Sequence, residues 1–261
     1  MACGLDTSKV TIYRQSKVPQ HALLHWVLSN YCALGELDRM PQWRLKKDKV
    51  SHLGLFSYPV LQSADILLFQ PHVVPVGDDQ KHHIDLARAL CRKLNHNLPS
   101  NDHIRLPKAI YASTAKIYDL QEPTCKMSKS TGQSKSTIFM LDTHAELKKK
   151  IQKAVTDSHQ HANDIEQRPG INNLCQIIAG CDNTSYSDVI QDIKKHSGPN
   201  IHSYLKNRTS DALNSTLSPI QASFYHIKDD DAASHLMHGE SKASGIATVA
   251  LERIMKGLSV W

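Results

Sequence analysis

Apolar residues recur along this chain at two different spacings, and the pattern changes character near residue 143. Residues 10–15 (VTIYRQ) are β-branched and aromatic enough for a short strand. Leu23, Leu24, Trp26, Val27 and Tyr31 then recur at helical spacing and predict a helix over 19–34, which Gly35 can end. Residues 57–69 (SYPVLQSADILLF) read as a second helix, with Ser57 as its cap and Pro59 tolerated in its first turn. Residues 73–76 make a short apolar strand, followed by Gly77, Asp78 and Asp79 and by an amphipathic helix to about Leu94. Another strand is expected over 136–141. Strand, turn and helix in that repeated order favour a parallel sheet with helices on its faces.

From Thr143 the pattern is helical throughout. Thr143 and Glu146 form a T-x-x-E capping box, with Leu147, Ile151 and Val155 as the apolar stripe behind it. Breaks are expected at Pro169-Gly170, Gly180 and Gly198-Pro199, and a last helix over 243–255 carries Ile246, Val249, Ala250 and Ile254 at helical spacing. The fold class is therefore α/β: a parallel-sheet domain over 1–142 followed by an all-helical domain over 143–261.

Composition changes this picture little. A chain of 261 residues, 40% hydrophobic, can bury a core without staples, so its six scattered cysteines, none in a CxxC pair, read as free thiols. Lys and Arg total 31 against 25 Asp and Glu, a net +6 that permits a nucleic-acid partner without demanding one. Lys148, Lys149, Lys150 and Lys153 read as a solvated helix face. His82 and His83 lack the neighbouring carboxylate or cysteine cluster that a metal site needs.

Three segments carry candidate chemistry. Lys126-Met127-Ser128-Lys129-Ser130, in a polar loop, sets two lysines among small hydroxyl residues, a combination suited to stabilising charge on a leaving polyphosphate. Tyr58, Leu61, Gln62 and Asp65 share one side of a helix; periodicity alone leaves Asp65 either in an apolar pocket or on a solvated stripe. Gly77 lets the backbone turn tightly at a strand's C-terminal end, where ligands bind in open α/β sheets, and Asp79 and Gln80 could hydrogen-bond a ribose hydroxyl and an α-amino group or simply cap a helix.

The blocks YPVLQSADILLF, VVPVGDDQKHH, CKMSKS, KKKIQKAVTDS and RPGINNL follow one another in an order that resembles the tryptophanyl-tRNA synthetases of bacterial type along essentially the whole chain. KMSKS is a signature of the class I aminoacyl-tRNA synthetases to which that family belongs. The resemblance implies a Rossmann-type catalytic domain. By it, Asp65 would accept the indole N–H of tryptophan, Tyr58 and Gln80 would bind its amino group, and Val74 and Val76, with Gln62, would line the ring pocket. Asp79, beside Gly77, would hold a ribose hydroxyl of ATP, and Ile117 would pack near adenine. Lys46, Lys126 and Lys129, with Met127, Ser128 and Ser130, would surround the phosphates and their Mg²⁺.

The same resemblance implies ATP-dependent ligation of L-tryptophan to tRNA(Trp) through tryptophanyl-adenylate, with the helical part on the anticodon side of the tRNA and a homodimer as the assembly. Gln62 stands where many bacterial members carry Met, and organellar relatives share it, which points to the mitochondrial matrix, with a bacterial-type cytoplasm as the alternative. No HIGH-like or GIQPTG-like motif occurs, so the chain is expected to lack the family's first segment. A non-catalytic chain that binds tRNA or a synthetase partner, and a tyrosyl-tRNA synthetase, stay open as alternatives.

Overall fold

The structure is a computed structural model and describes residues 1–49, 52–111, 116–128, 135–158, 164–196 and 198–259. In chain order the helices are α1 (Gln20–Ser29), α2 (Leu34–Asp38), α3 (Pro41–Lys46), α4 (Leu53–Leu67), α5 (Lys81–Asn97), α6 (His144–Gln152), α7 (Pro169–Asp182), α8 (Tyr186–Lys195), α9 (Ile201–His226) and α10 (Asp229–Gly257). The strands are β1 (Val73–Val76) and β2 (Lys108–Tyr111). The chain divides into two compact units, one holding Asp6–Ala112 with Asp229–Trp261, the other Met1–Leu5 with Ser113–Lys228. The last helix thus packs with the sheet-bearing part of the chain, and residues 116–128 and 135–142 pack with α6 to α9. Among the described residues no helix is long and apolar enough to cross a membrane.

In the first unit β1 and β2 pair in parallel, with Val73 opposite Lys108 and Val76 opposite Tyr111. β1 stands where the apolar run predicts it. β2 comes from KAIY, a stretch whose charged first residue hides it from a hydropathy reading. The strand expected over 10–15 is absent, because those residues find no β partner among the described residues and lean on α10 instead. Arg14 pairs with Glu240 there, and a Cβ built on Gly239 would lie 1.9 Å from the Ile12 carbonyl oxygen.

Helix α1 buries His21, Leu24, Val27 and Leu28 but leaves Leu23 and Trp26 exposed. It stops at Ser29, and a new helix restarts at Leu34 with Gly35 inside it. α4 begins at Leu53 rather than Ser57, which places Pro59 within the helix, where it has no N–H to offer the Leu55 carbonyl. Leu24, Leu28, Leu67, Leu90 and Leu94 form the centre of this core together with Ala247 and Ile254 of α10. Each leucine so buried contributes about 1.5–3 kcal/mol. Of the four positions expected to mark the apolar face of α10, only Ala250 and Ile254 are buried, while Ile246 and Val249 point outward. Its inner face is small-residue-rich, with Gly239, Ala243 and Ala247, so neighbouring backbone approaches closely.

That close approach makes Gly239 the most size-sensitive position of the helix. Gly239→Ala must displace the Ile12 backbone, and a loss of about 1–3 kcal/mol is expected, read as a lowered urea midpoint with an unchanged slope. A midpoint equal to that of the parent chain would contradict the packing of residues 11–14 on α10.

In the second unit the Thr143–Glu146 box caps α6, with Thr143 N–H donating to the Glu146 carboxylate at 2.8 Å. Leu147 and Ile151 are buried with Leu174, Ile178, Ile201 and Leu205, whereas Val155 lies beyond the helix and is exposed. The strand expected over 136–141 is a loop in which Ser136 and Thr137 are buried and Phe139 N–H donates to Asp142. Gly180 sits inside α7 and breaks nothing; the helix ends at Asp182, followed by Asn183 in the left-handed region at φ 52°. The break at Gly198-Pro199 is real, with Gly198 at φ 138°. Lys148, Lys149 and Lys153 are solvated, but Lys150 turns back to the Asp142 carboxylate at 2.6 Å and to the Thr137 carbonyl at 2.9 Å.

Candidate active site

Helix α4 presents Tyr58, Gln62 and Asp65 along one side, and each meets a partner from another element. Tyr58 Oη lies 2.7 Å from His83 Nε2 on α5, and burial pulls the His83 ring below the usual histidine range. Gln62 donates to the Gln80 side-chain oxygen at 3.1 Å, and Gln80 in turn donates to Asp79 Oδ2 at 3.1 Å. Asp65 is neither lost in an apolar pocket nor fully solvated. Its carboxylate is about one-third exposed and takes Gln15 Nε2 at 2.7 and 2.8 Å, with His21 Nδ1 2.7 Å from Oδ1.

The strand contributes the wall. Val74 and Val76 are half-buried against Ile66, Ile84 and Ala87, while Val73 faces outward. Gly77 has φ −75°, a backbone that any residue adopts, so the tight turn expected of it is not what the position requires. What it supplies is room: a Cβ there would meet Asp79 Oδ1 at 2.9 Å. Asp79 is exposed, and no side chain caps the short turn at 78–80 or α5, so helix capping does not account for it. Lys46 is exposed at the last turn of α3.

In the second unit, residues 117–119 and 125–127 run antiparallel, bridged at Tyr118 and Lys126. Met127 N–H donates to the Ile117 carbonyl at 3.1 Å, and Asp119 N–H to the Cys125 carbonyl at 2.9 Å. Ile117 and Met127 pack on the unit's core, which leaves the Lys126 side chain exposed. Ser128 offers its carbonyl to Thr137 Oγ1 at 3.4 Å. Lys129 and Ser130 lie outside the described residues.

Side chains that the sequence did not single out hold this hairpin. Asn173 of α7 grips Tyr118 from both sides, accepting its N–H at 2.8 Å and donating to its carbonyl at 2.8 Å. Asp119 is buried, which raises its carboxyl, but the Ser136 hydroxyl and the N–H groups of Gln121 and Glu122 outweigh this and hold it below the usual range. The AVTDS and RPGINNL blocks meet here as well. Arg168 forks onto Asp157, and a Cβ on Gly170 would lie 2.1 Å from the Val155 carbonyl oxygen. A cleft of about 540 Å³ opens beside the hairpin, between Lys116, Tyr118 and Thr124 and the first turns of α7.

These features agree with what the chain is similar to. The family model for class I tRNA synthetases of the W and Y type matches residues 1–218, and the chain belongs to that family. Within it, the tryptophan–tRNA ligase of Oceanobacillus iheyensis is 38% identical over 269 residues, covering 100% of this chain and 79% of the relative. The crystal structure of tryptophanyl-tRNA synthetase from Mycoplasma pneumoniae superposes with a TM-score of 0.81 at 30% identity, over 99% of this chain and 79% of that one. The Campylobacter jejuni tryptophanyl-tRNA synthetase, solved with ADP and tryptophan, gives 0.79 at 28% identity with the same coverage.

Proposed function

We propose that this chain carries the ATP-dependent ligation of L-tryptophan to tRNA(Trp). The observation that carries the reading is Asp65, an acceptor-only carboxylate held on the face of α4 by the Gln15 amide of another segment, as recognition of an indole N–H requires. Tyr58 and Gln80 would bind the amino group, with Val74, Val76 and Gln62 along the ring. Asp79 would take a ribose hydroxyl of ATP, beside Gly77, with Ile117 near adenine.

In the first step a tryptophan carboxylate oxygen attacks the α-phosphorus of ATP, and pyrophosphate leaves to give tryptophanyl-adenylate. In the second a hydroxyl of the terminal tRNA ribose attacks the acyl carbon, and AMP leaves. Lys126, with Lys46, Lys129 and the hydroxyl residues Ser128 and Ser130, would offset the charge that builds on the pyrophosphate. Mg²⁺ would arrive on the ATP phosphates, as part of the substrate. Helices α6 to α9 would meet the anticodon side of the tRNA, and the working assembly would be a homodimer in the mitochondrial matrix.

The test is amino-acid-dependent exchange of pyrophosphate into ATP over a panel of tryptophan, tyrosine and phenylalanine, with Asp65→Asn beside the parent chain. Exchange restricted to tryptophan is expected, and a hydrogen bond to an ionised group makes the Asp65→Asn loss of preference about 10–100-fold. Exchange driven by tyrosine instead would move the specificity to the other branch of the family.

A further inference from the structure

The Asp65 carboxylate is the end of a chain of contacts that the reaction as described does not use. Oδ1 receives Gln15 Nε2 at 2.7 Å and faces His21 Nδ1 at 2.7 Å, whereas Oδ2 receives only the shared Gln15 donor at 2.8 Å. On its far side the His21 ring meets Tyr13, with Nε2 3.0 Å from Tyr13 Oη. The Tyr13, His21 and Phe69 rings pack together at centroid distances of 5.6–5.8 Å, and His21 is only 3% exposed.

The chemistry of the donors fixes much of the rest. A carboxylate only accepts, and the donor that reaches it with hydrogen-bond geometry is the Gln15 amide, with the buried His21 ring packed against Oδ1 at 2.7 Å. Gln15 Nε2 reaches both oxygens, while the His21 ring lies against Oδ1 alone without the alignment of a hydrogen bond, which makes Oδ2 the less enclosed oxygen, with acceptor capacity to spare. Both residues are themselves anchored. His21 lies in the first turn of α1, and the segment carrying Gln15 is tied to α10 by Arg14–Glu240 and by the Ile12–Gly239 contact. The negative charge of Asp65 is felt along the chain, since it adds to burial in pushing the Tyr13 hydroxyl up.

From this geometry we infer that Gln15 and His21 are positioning residues for tryptophan selection: they pin the Asp65 carboxylate and turn Oδ2 toward the indole N–H. The inference rests on the reading of Asp65 as the indole acceptor and names what makes that acceptor selective. Without the Gln15 donor and the His21 ring against it, the carboxylate would be free to rotate about its last bond and to fill its valences from water. The penalty against a ligand that lacks the N–H would then vanish.

The experiment compares equilibrium binding of L-tryptophan and β-(benzothiophen-3-yl)-L-alanine, in which sulfur replaces the indole N–H, by calorimetry on the full chain. Variants are Asp65→Asn, Gln15→Ala, His21→Leu and His21→Asn, whose amide nitrogen can stand where Nδ1 stood. The parent chain is expected to prefer tryptophan by about tenfold or more. That preference should fall at least fivefold in Gln15→Ala and His21→Leu and return in His21→Asn, an outcome a purely structural histidine would not produce. Gln15 is exposed, so Gln15→Ala carries the test even where His21→Leu fails to fold. If Asp65→Asn loses the preference while Gln15→Ala and His21→Leu keep it, this inference is overturned and the Asp65 reading stands. If Asp65→Asn keeps the preference, or the parent chain shows none, the Asp65 reading falls and takes the inference with it.

Discussion

Lys126→Ala is expected to slow tryptophan-dependent pyrophosphate exchange by about 10²–10³-fold while changing tryptophan affinity by no more than about twofold. The reason lies in where the side chain stands. The backbone of Lys126 is bridged to Tyr118, and both of its neighbours in the hairpin are fixed, Met127 by the Ile117 carbonyl and Cys125 by Asp119 N–H. The side chain itself is exposed and carries none of the packing. Removing it takes away a charge without loosening the hairpin, so the thermal melt should not move. A lysine that meets the pyrophosphate as its charge develops helps the transition state more than bound ATP, and the loss should therefore fall on kcat more than on KM. Lys126→Arg should recover part of the rate, since charge is kept but the compact ammonium is not. A rate within threefold of the parent chain in Lys126→Ala would show that the charge on the pyrophosphate is met elsewhere.

The parts of this site that could be read from sequence are those whose partners lie within a few residues. KMSKS is contiguous, and Tyr58, Gln62 and Asp65 share a helix, so period and composition reveal them. The Thr143–Glu146 box is legible for the same reason. What orients these residues was not legible, because it comes from far along the chain. Gln15 lies 50 residues from Asp65, Asn173 lies 55 from Tyr118, and Gly239 meets Ile12 from another helix altogether. In the sequence His21 is one of sixteen histidines, two residues after a proline at the head of an apolar helix, and nothing local sets it apart. β1 stands where its apolar run predicts it, but the strand expected over 10–15 and the unexpected β2 differ from the sequence reading for a related reason. VTIYRQ has the propensity but no partner among the described residues, while KAIY has weak propensity and gains its place by pairing with β1. Strand formation is decided by the neighbour more than by the segment.

Arg168→Ala should produce the largest stability loss in the unit that holds the Tyr118–Lys126 hairpin, about 3 kcal/mol. The guanidinium is 9% exposed and forks onto Asp157, with Nε 2.6 Å from Oδ2 and Nη2 2.6 Å from Oδ1. Breaking a buried pair costs about 3–5 kcal/mol because a charge loses its partner where water cannot replace it; Asp157 is about one-third exposed, which moves the expectation to the lower end. Arg168→Lys keeps the charge and loses the fork, so it should fall between the two. Arg168→Ala combined with Asp157→Ala should cost less than the sum of the single changes, since the two residues share one interaction that either change alone removes. The measurement is urea unfolding of all four chains. A loss below about 1 kcal/mol in Arg168→Ala would mean that the pair is worth no more than a surface bridge. The position of the pair extends the prediction to activity. Arg168 is the cap residue of α7, the same helix whose Asn173 holds both backbone groups of Tyr118 opposite Lys126. Loosening the start of α7 should therefore lower the exchange rate at temperatures where the chain is still folded. Asn173→Ala should reproduce that loss of rate with a smaller loss of stability, because it frees the hairpin without uncovering a charge.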